Sequence, residues 1–519
     1  MESRRADVVI LGSGFAGSIA AMILKQLGRQ PLVVDRAVHP RFAIGESSTP
    51  IANRLLLDLS ARYDLPQLAP LAKWGTWDET YPKIRRGKKR GFSYFTHHAQ
   101  VPFVPTLTHR NELLVAASSS DDQSDTQWFR ADVDQFLVEQ ARALQIEVLD
   151  GVTIHSFQRQ TASHKWQLSG SRAHELIEIE ADFILDGTGD SSALAQTLAL
   201  PSQADRLHTH SRAIFSHWVN ISSWDHWLTA HGGHTQDYPF PSDDAAQHHL
   251  FDGAWMWMLR FSHQVASVGI ALDPRRWPLP HYQTAEQEWD DWLKRYPSVR
   301  EILGDRCTAQ PPGRVIRTGR LQRCWSRIVG AGWAMLPHSA GFIDPLHSSG
   351  IAHSLCGVER LARLFEDQDW RKKIDLGLAE YQQAVLSELT LIDQLVAACY
   401  STFHHFPLLI ANSMLYFAAA TTYERRRHEA GYQSDLWFLL ANDVEFTETL
   451  KQLLRQLTTL LNCPLGASHP PDSPAYRQPT AHEMTAYQDA VARAIAPFNH
   501  VGLCDWQNEN MYRYTVAPE

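Results

Sequence analysis

No CxxC pair occurs in this chain. Its six cysteines, Cys307, Cys324, Cys356, Cys399, Cys463 and Cys504, are widely spaced. That argues against a disulfide framework and predicts reduced thiols in a reducing, cytoplasmic compartment. No run of about 18 apolar residues is present, so no membrane span is expected. Positive charge is not in excess: a net charge of −9 argues against a broad nucleic-acid-binding face. Histidine is plentiful, but the clusters at 231–234 (HGGH), 248–249 and 404–405 lack carboxylate or cysteine partners at familiar ligand spacing. They read as loop or surface histidines, and no metal is expected. The two arginines before the first apolar run resemble a signal peptide only briefly, because that run breaks at a glycine cluster. Internal repeats are absent.

The chain has 519 residues, too many for one compact core, so two or three substructures are expected. DVVIL at 7–11 has the continuous apolar character of a buried parallel strand. A glycine turn and the helical segment SIAAMILKQLG follow it. PLVVDR at 31–36 is a second buried strand, which completes a β-α-β unit. SSSDDQSDTQ at 118–127 reads as a surface loop by composition. Residues 131–145 look helical, and IEVLDGVTIHSF reads as strand-turn-strand. From about 206 to 310 the pattern alternates and is rich in aromatics, as in RAIFSHWVNI and ASVGIAL. Helical periodicity dominates after 376, interrupted by a proline-rich linker at 467–480.

Gly12, Gly14 and Gly17 fit G-x-G-x-x-G between a strand and a helix. The first glycine permits the tight turn, the second lets a pyrophosphate approach the backbone, and the third allows close helix–strand packing. Asp35 ends the second strand, placed to accept hydrogen bonds from a ribose. Together these features predict dinucleotide binding. Another short stretch, GAWMWMLRF at 253–261, carries two indoles two positions apart. On a strand, Trp255 and Trp257 face the same side.

Further motifs narrow the choice between cofactors. LDGTGD at 185–190 is similar to the second motif of FAD-dependent hydroxylase-type oxidoreductases. RFAIGESSTP at 41–50, GFIDPLHSSGI at 341–351 and WMWML resemble the flavin-dependent halogenase family, tryptophan- and phenol-halogenase-like, within the aromatic-hydroxylase-type FAD oxidoreductases. WMWML is a variant of the W-x-W-x-I-P signature that separates halogenases from hydroxylases. The resemblance runs in motif order over most of the chain. Three positions depart from it: Arg260 stands where the signature has proline, His338 where relatives have the aspartate of a Gly-Asp pair, and His347 where tryptophan halogenases carry a glutamate.

The resemblance implies an α/β fold, with a doubly wound, Rossmann-like FAD-binding domain, an antiparallel β substrate domain and a C-terminal helical region. The corresponding segments are 1–75, 128–205 and 311–375 for the FAD-binding domain, 76–127 and 206–310 for the substrate domain, and 376–519 for the cap. It implies a reaction in which reduced FAD, dioxygen and chloride or bromide yield hypohalous acid, which a lysine holds, orients or captures before an aromatic ring is halogenated. Carried over residue by residue, FAD contacts fall on Gly12, Gly14, Phe15, Ala16, Gly17, Asp35 and Arg36. They continue over Ile44, Gly45, Glu46, Ser47, Arg130, Asp186, Gly187, Asp344, Gly350 and Ile351. Ser349 and Gly350 match the halide cradle. Lys89, with the spacing KRGFSYF, matches the lysine, and His347, Trp255 and Trp257 complete the catalytic set. No second dinucleotide fingerprint occurs, which agrees with a separate NAD(P)H-dependent flavin reductase as partner. A glutamate at position 347 is associated with activating an indole, so His347 points to a phenol or pyrrole, free or carrier-tethered, rather than free tryptophan. The competing reading is an FAD-dependent aromatic monooxygenase or dehydrogenase that keeps the scaffold without halide chemistry.

Overall fold

A computed structural model describes residues 2–513 apart from 174, 282, 432–434 and 468–476. Most of the expected 467–480 linker therefore lies outside the described residues. The first strand, Glu2–Leu11, buries its apolar end Val8–Leu11 and pairs in parallel with Pro31–Asp35 on one side and Glu175–Asp186 on the other. Glu147–Asp150 and Trp333–Met335 extend this parallel sheet in the two directions. Thr153–Arg159 and Trp166–Arg172 add an antiparallel flap through Glu175–Asp186. The helices Phe15–Gln26 and Gly350–Leu364 pack against each other over this sheet, both with buried faces rich in Ala, Leu and Ile.

A second large sheet runs in the order Cys307–Thr308, Arg212–Val219, Ala266–Leu272, Ala254–Arg260, Ala246–Phe251, Gly91–Thr96, Glu112–Ala116 and Met511–Tyr512. Its strands alternate strictly. Phe92, Tyr94, Phe215, Trp255 and Trp257 join the core shared with the nucleotide-type domain. Their neighbours Phe95, Ile214, Met256 and Met258 join a separate core on the other face. Both faces are thus covered, which explains why these strands carry few charges.

Several expectations need correction. The second sheet is mixed rather than antiparallel, because Ala246–Phe251 pairs in parallel with Gly91–Thr96, and Met511–Tyr512 in parallel with Glu112–Ala116. Ile316–Arg320, expected in the FAD-binding segment, pairs with Arg212–Val219 of this sheet. Met511–Tyr512, expected in the cap, also joins it. The stretch taken for a surface loop at 118–127 ends in a strand, Asp125–Trp128, which pairs with Arg86–Lys89. Its polar residues Ser124, Asp125, Thr126 and Gln127 are buried. Polar composition is the same for a solvated loop and for a strand lining a polar site, so the sequence misled at this point.

The C-terminal helices Trp370–Ser401, Phe406–Ala430, Val444–Leu461 and Ala481–Ile495 close over the first sheet's helices and the inner face of the second sheet. Trp370–Ser401 is long and apolar enough to cross a membrane by length and composition, yet 78% of its most apolar window is buried inside the protein. A helix so enclosed is a core helix. Arg427 clamps the cap to the rest: its guanidinium reaches Glu359 at 2.5 and 2.9 Å and Asp58 at 2.9 and 3.1 Å. Arg427→Ala leaves the buried Glu359 carboxylate with Arg363 at 3.3 Å in place of the two-bond clamp, and is expected to lower stability by ~3 kcal/mol. Thermal or urea melts check this, and the double variant Arg427→Met, Glu359→Gln is expected to recover much of the loss.

Candidate active site

The glycine turn is built as a cradle for an anion. Gly12 adopts φ +94°, and a Cβ there would lie 2.5 Å from the Gly187 carbonyl oxygen. Gly17 is packed as tightly, with 2.1 Å from a notional Cβ to the Gly12 carbonyl oxygen. Gly14 differs. It caps the helix Phe15–Gln26, and a Cβ there would meet side-chain ends alone: the Arg41 and Arg130 guanidinium groups at 3.5 and 3.6 Å and the Asp134 carboxylate at 3.8 Å. Asp134 pairs with both arginines, and the two guanidinium groups together with the free N–H groups of the helix start favour a pyrophosphate in that space. Phe15 and Ala16 are buried in the first helical turn. Asp35 stands at the strand end as expected, held as a carboxylate. Although burial opposes this, Arg41 and the hydrogen bonds from Ser13 and Ala37 lower its pKa. Arg36, next to it, is exposed.

From this turn the site continues along residues 41–49. Arg130 braces that segment: it pairs with Asp134 and donates 3.0 Å hydrogen bonds to the Ile44 and Gly45 carbonyls, over the Phe15 ring. Asp186 and Asp344 do not reach outward. The Asp186 carboxylate accepts from Thr188 and the Leu194 N–H. Asp344 accepts from Ser211, Tyr400 and the Leu346 N–H, and burial pushes its carboxyl up to about 6. Their carboxylates therefore hold the two turns in shape, and any cofactor contact would come from the turn backbones. His338 lies against the same wall, between the Gly187 carbonyl and Ser354, neutral because burial pushes it down to about 4. Ser349 caps the helix Gly350–Leu364, Ile351 is buried, and a Cβ on Gly350 would meet nothing within 4 Å. Gly350 is exposed at the start of that helix, and first-turn N–H groups at such a start favour an anion or a flavin carbonyl.

Lys89 is the most unusual group in the molecule. It is fully buried, points inward, and donates a 2.5 Å hydrogen bond to the Ser48 carbonyl while lying 4.2 Å over the Phe92 ring. Lys88 points the other way and pairs with Asp121 and Asp244 at 2.6 and 3.3 Å. Asp125 is the direct cross-strand partner of Lys89. One of its oxygens accepts from Asn53 at 2.6 Å and the other has no partner. Burial lowers the pKa of Lys89 and raises that of Asp125, and each charge opposes the shift of the other. Buried polar atoms without partners gather along the same path: Glu46 Oε2, Ser47 Oγ, Thr49 Oγ1, Tyr94 Oη, Gln127 Oε1 and His217 Nδ1. Unpartnered buried polar atoms cost stability and mark a place prepared for a ligand or ordered water.

The indole face joins these parts. Trp255 and Trp257 sit side by side with ring centroids 5.8 Å apart. Trp255 donates to Tyr400, which donates to Asp344. Trp257 lies across Gly269, where a Cβ would come 2.1 Å from the ring. Both indoles are packed into the main core rather than lining an open chamber. His248 stacks on Tyr94 and Trp255 at 4.4 and 5.2 Å, and burial pushes it down to about 4. His347 stacks on Tyr416 at 4.3 Å, with Nε2 3.8 Å from Cys399 Sγ, and burial pushes it down to about 3. Arg260 ends the strand on the rim, tied to Asp243 and the Ser222 carbonyl.

Sequence reasoning missed Asp125, Asn53, His248, Tyr416 and His217, whose buried ring lies 2.6 Å from the expected Glu46. His248 and His249, expected in a loop or on the surface, are buried in a sheet. Alternation around QHHLF was the one signal that could have placed His248 inward; Tyr416, in the apolar first half of its helix, carried none.

The family model for tryptophan halogenase matches residues 126–405, more than half of the chain. The chain belongs to this family. It is 29% identical over 430 residues to the tetracycline 7-halogenase of Kitasatospora aureofaciens, covering 78% of this chain and 71% of that protein. It is 28% identical to the monodechloroaminopyrrolnitrin halogenase of Pseudomonas fluorescens, covering 78% and 70%. In structure it is similar to the halogenase PltM in complex with phloroglucinol and FAD, with a TM-score of 0.84, 23% identity and coverage of 98% and 99%. The family makes this chain a flavin-dependent halogenase of aromatic substrates, and its mixed α/β fold matches that of PltM almost throughout.

The Gly12–Gly17 cradle, the guanidinium pair above Gly14 and the open helix start at Gly350 fit FAD. Gly14→Val is therefore expected to fold with a normal melting profile yet lose flavin binding, because its side chain fills the anion space without striking backbone. Gly17→Val is expected to fail at folding, because its Cβ would overlap the Gly12 carbonyl. Flavin fluorescence titration beside circular-dichroism melts separates the two.

Proposed function

We propose that this halogenase acts on an electron-rich phenol or pyrrole rather than free tryptophan, using chloride or bromide, with reduced FAD delivered by a separate NAD(P)H-dependent flavin reductase in the cytoplasm. The observation that carries the halide chemistry is Lys89: a fully buried amine opposite a buried carboxylate, against Phe92, on which the cap residues Tyr416 and Phe417 pack. Reduced FAD, when bound, would give two electrons to dioxygen, which takes two more from the halide to yield hypohalous acid, water and oxidised FAD. The chain's own groups do the rest. The N–H groups at Ser349 and Gly350 hold the halide anion. The Trp255–Trp257 wall keeps the substrate from the cofactor, so the small oxidant travels to Lys89. There the Lys89 ammonium hydrogen-bonds the hypohalous oxygen and turns the halogen toward the ring, while Asp125 holds the charge balance. Tyr416 and the helix that carries it exclude bulk water.

Position 347 supports the substrate class. His347 is neutral and pinned between Tyr416 and Cys399, so it offers no carboxylate to polarise an indole N–H. A phenol or pyrrole supplies its own electron density and needs no such help. The indole pair and the Lys89 pocket favour this reading over a monooxygenase, whose substrate must reach the flavin directly.

Lys89→Ala and Lys89→Arg are expected to bind FAD and consume reduced flavin, while halogenated product falls ~100-fold or more. Lys88→Ala is expected to stay near wild type, since its ion pairs lie toward solvent. Mass spectrometry on a panel of phenols, indoles and free and carrier-tethered pyrroles with bromide reads this out. Free tryptophan as the best substrate, or hydroxylated product without halide dependence, would overturn the reading.

The pair also predicts a pH response. The Asp125 charge favours the Lys89 ammonium, and burial favours the amine. Asp125→Asn removes the favouring charge and lowers the Lys89 pKa further. The high-pH limb of the pH–rate profile, where the ammonium is lost, is expected to move to lower pH in this variant. An unmoved limb would separate Asp125 from the lysine.

A further inference from the structure

The histidines of HGGH gain partners that their local sequence does not show. His109 is completely buried on the turn before the strand Glu112–Ala116. Its Nδ1 lies 2.7 Å from the buried Glu112 carboxylate, which also accepts from Tyr238 at 2.8 Å. That contact directs Nε2 outward, where it meets Asp237 Oδ2 at 2.8 Å. The other oxygen of Asp237 lies 3.3 Å from His234 Nδ1. Two imidazoles and one carboxylate thus converge, with their ligand atoms all within 4.8 Å of one another. A 460 Å³ cavity opens beside Asp237, lined also by Val501, Gln507, Glu509 and Tyr512.

We infer that His109, His234 and Asp237 form a site for a divalent cation of the zinc class, separate from the halogenation chemistry. The donor set is the borderline nitrogen and oxygen mixture that zinc takes, with three protein ligands and a fourth position for water. Zinc bonds of about 2.0–2.2 Å in a tetrahedron set ligands about 3.3 Å apart. The His234–Asp237 contact already has that spacing, and the His109–Asp237 contact needs to open by only about half an ångström. Glu112 stands where a carboxylate orients a zinc-bound imidazole, holding the ring and raising its basicity. The ion would tie the 231–245 loop to the turn at His109. That turn also anchors the C-terminal strand, since Asn510 donates to the His109 carbonyl at 3.1 Å and accepts from the Leu114 N–H at 3.0 Å.

The test uses the full chain stripped with chelator, then titrated with Zn²⁺ against a chromophoric competitor. Wild type is expected to bind one equivalent, and both His234→Ala and Asp237→Asn to bind at least ~100-fold more weakly. His234 is exposed, so metal-free His234→Ala should melt like metal-free wild type. Asp237→Asn keeps an oxygen acceptor for the buried His109 but loses its charge, and is compared with its own metal-free melt. Their halogenation rates should also be unchanged, which keeps this result distinct from the Lys89 reading. X-ray absorption should show two imidazole nitrogens with oxygen ligands. No zinc bound by wild type, or equal affinity in both variants, would overturn the inference.

Discussion

The buried Lys89–Asp125 pair is the constraint around which the site is organised. A lysine in a low-dielectric interior is expensive to hold charged, and a carboxylate beside it is equally so. Neither has the full set of hydrogen bonds that a purely structural pair would require. Lys89 has one carbonyl and a ring face, and Asp125 has Asn53 on one oxygen and nothing on the other. An arrangement so incompletely satisfied makes physical sense at a place where a ligand arrives. The surrounding fold supplies what stability it lacks, through the aromatic face of the second sheet and the helices packed over it.

That aromatic face links the two halves of the chemistry. Trp255 is wired through Tyr400 to Asp344, which shapes the turn leading to Ser349 and Gly350. His248 is wired to the same turn at the Leu346 carbonyl and stacks under Tyr94 toward the lysine side. The halide-cradle turn and the lysine pocket are therefore held by one rigid surface. On the proposed mechanism a small displacement of either end would misdirect the oxidant, so rigidity here would serve chemistry as well as stability. The cap is part of the same framework, because its helices fix His347 through Tyr416, Cys399 and the Leu395 backbone.

Departures from the family's motifs acquire plain structural meanings. His338 fills a wall position beside the glycine turns as a neutral ring, bonded to a carbonyl and a hydroxyl. Arg260 closes the rim of its strand through Asp243. Neither breaks the cradle or the pocket. His347 is a buried ring stacked on Tyr416, and in the proposed function it is the departure that bears on the choice of substrate ring.

Sequence alone determined the features written within a few residues of one another. The glycine spacing after DVVIL, the opposite sides taken by Lys88 and Lys89, the shared face of Trp255 and Trp257, and the GFIDPLHSSGI turn all follow from local backbone periods and sterics. The mixed pairing of the second sheet, the strand at Asp125–Trp128 and the return of Met511–Tyr512 were decided only in three dimensions. So were the meeting of Asp125 with Lys89 and of His109 with Asp237 and His234. Register brings together residues tens or hundreds of positions apart, and no local pattern records which ones meet. A polar run such as SDTQ reads the same whether water or a reaction surrounds it. Only the packing of the distant segments, which removed the water, gave those polar groups their partners and their pKa values.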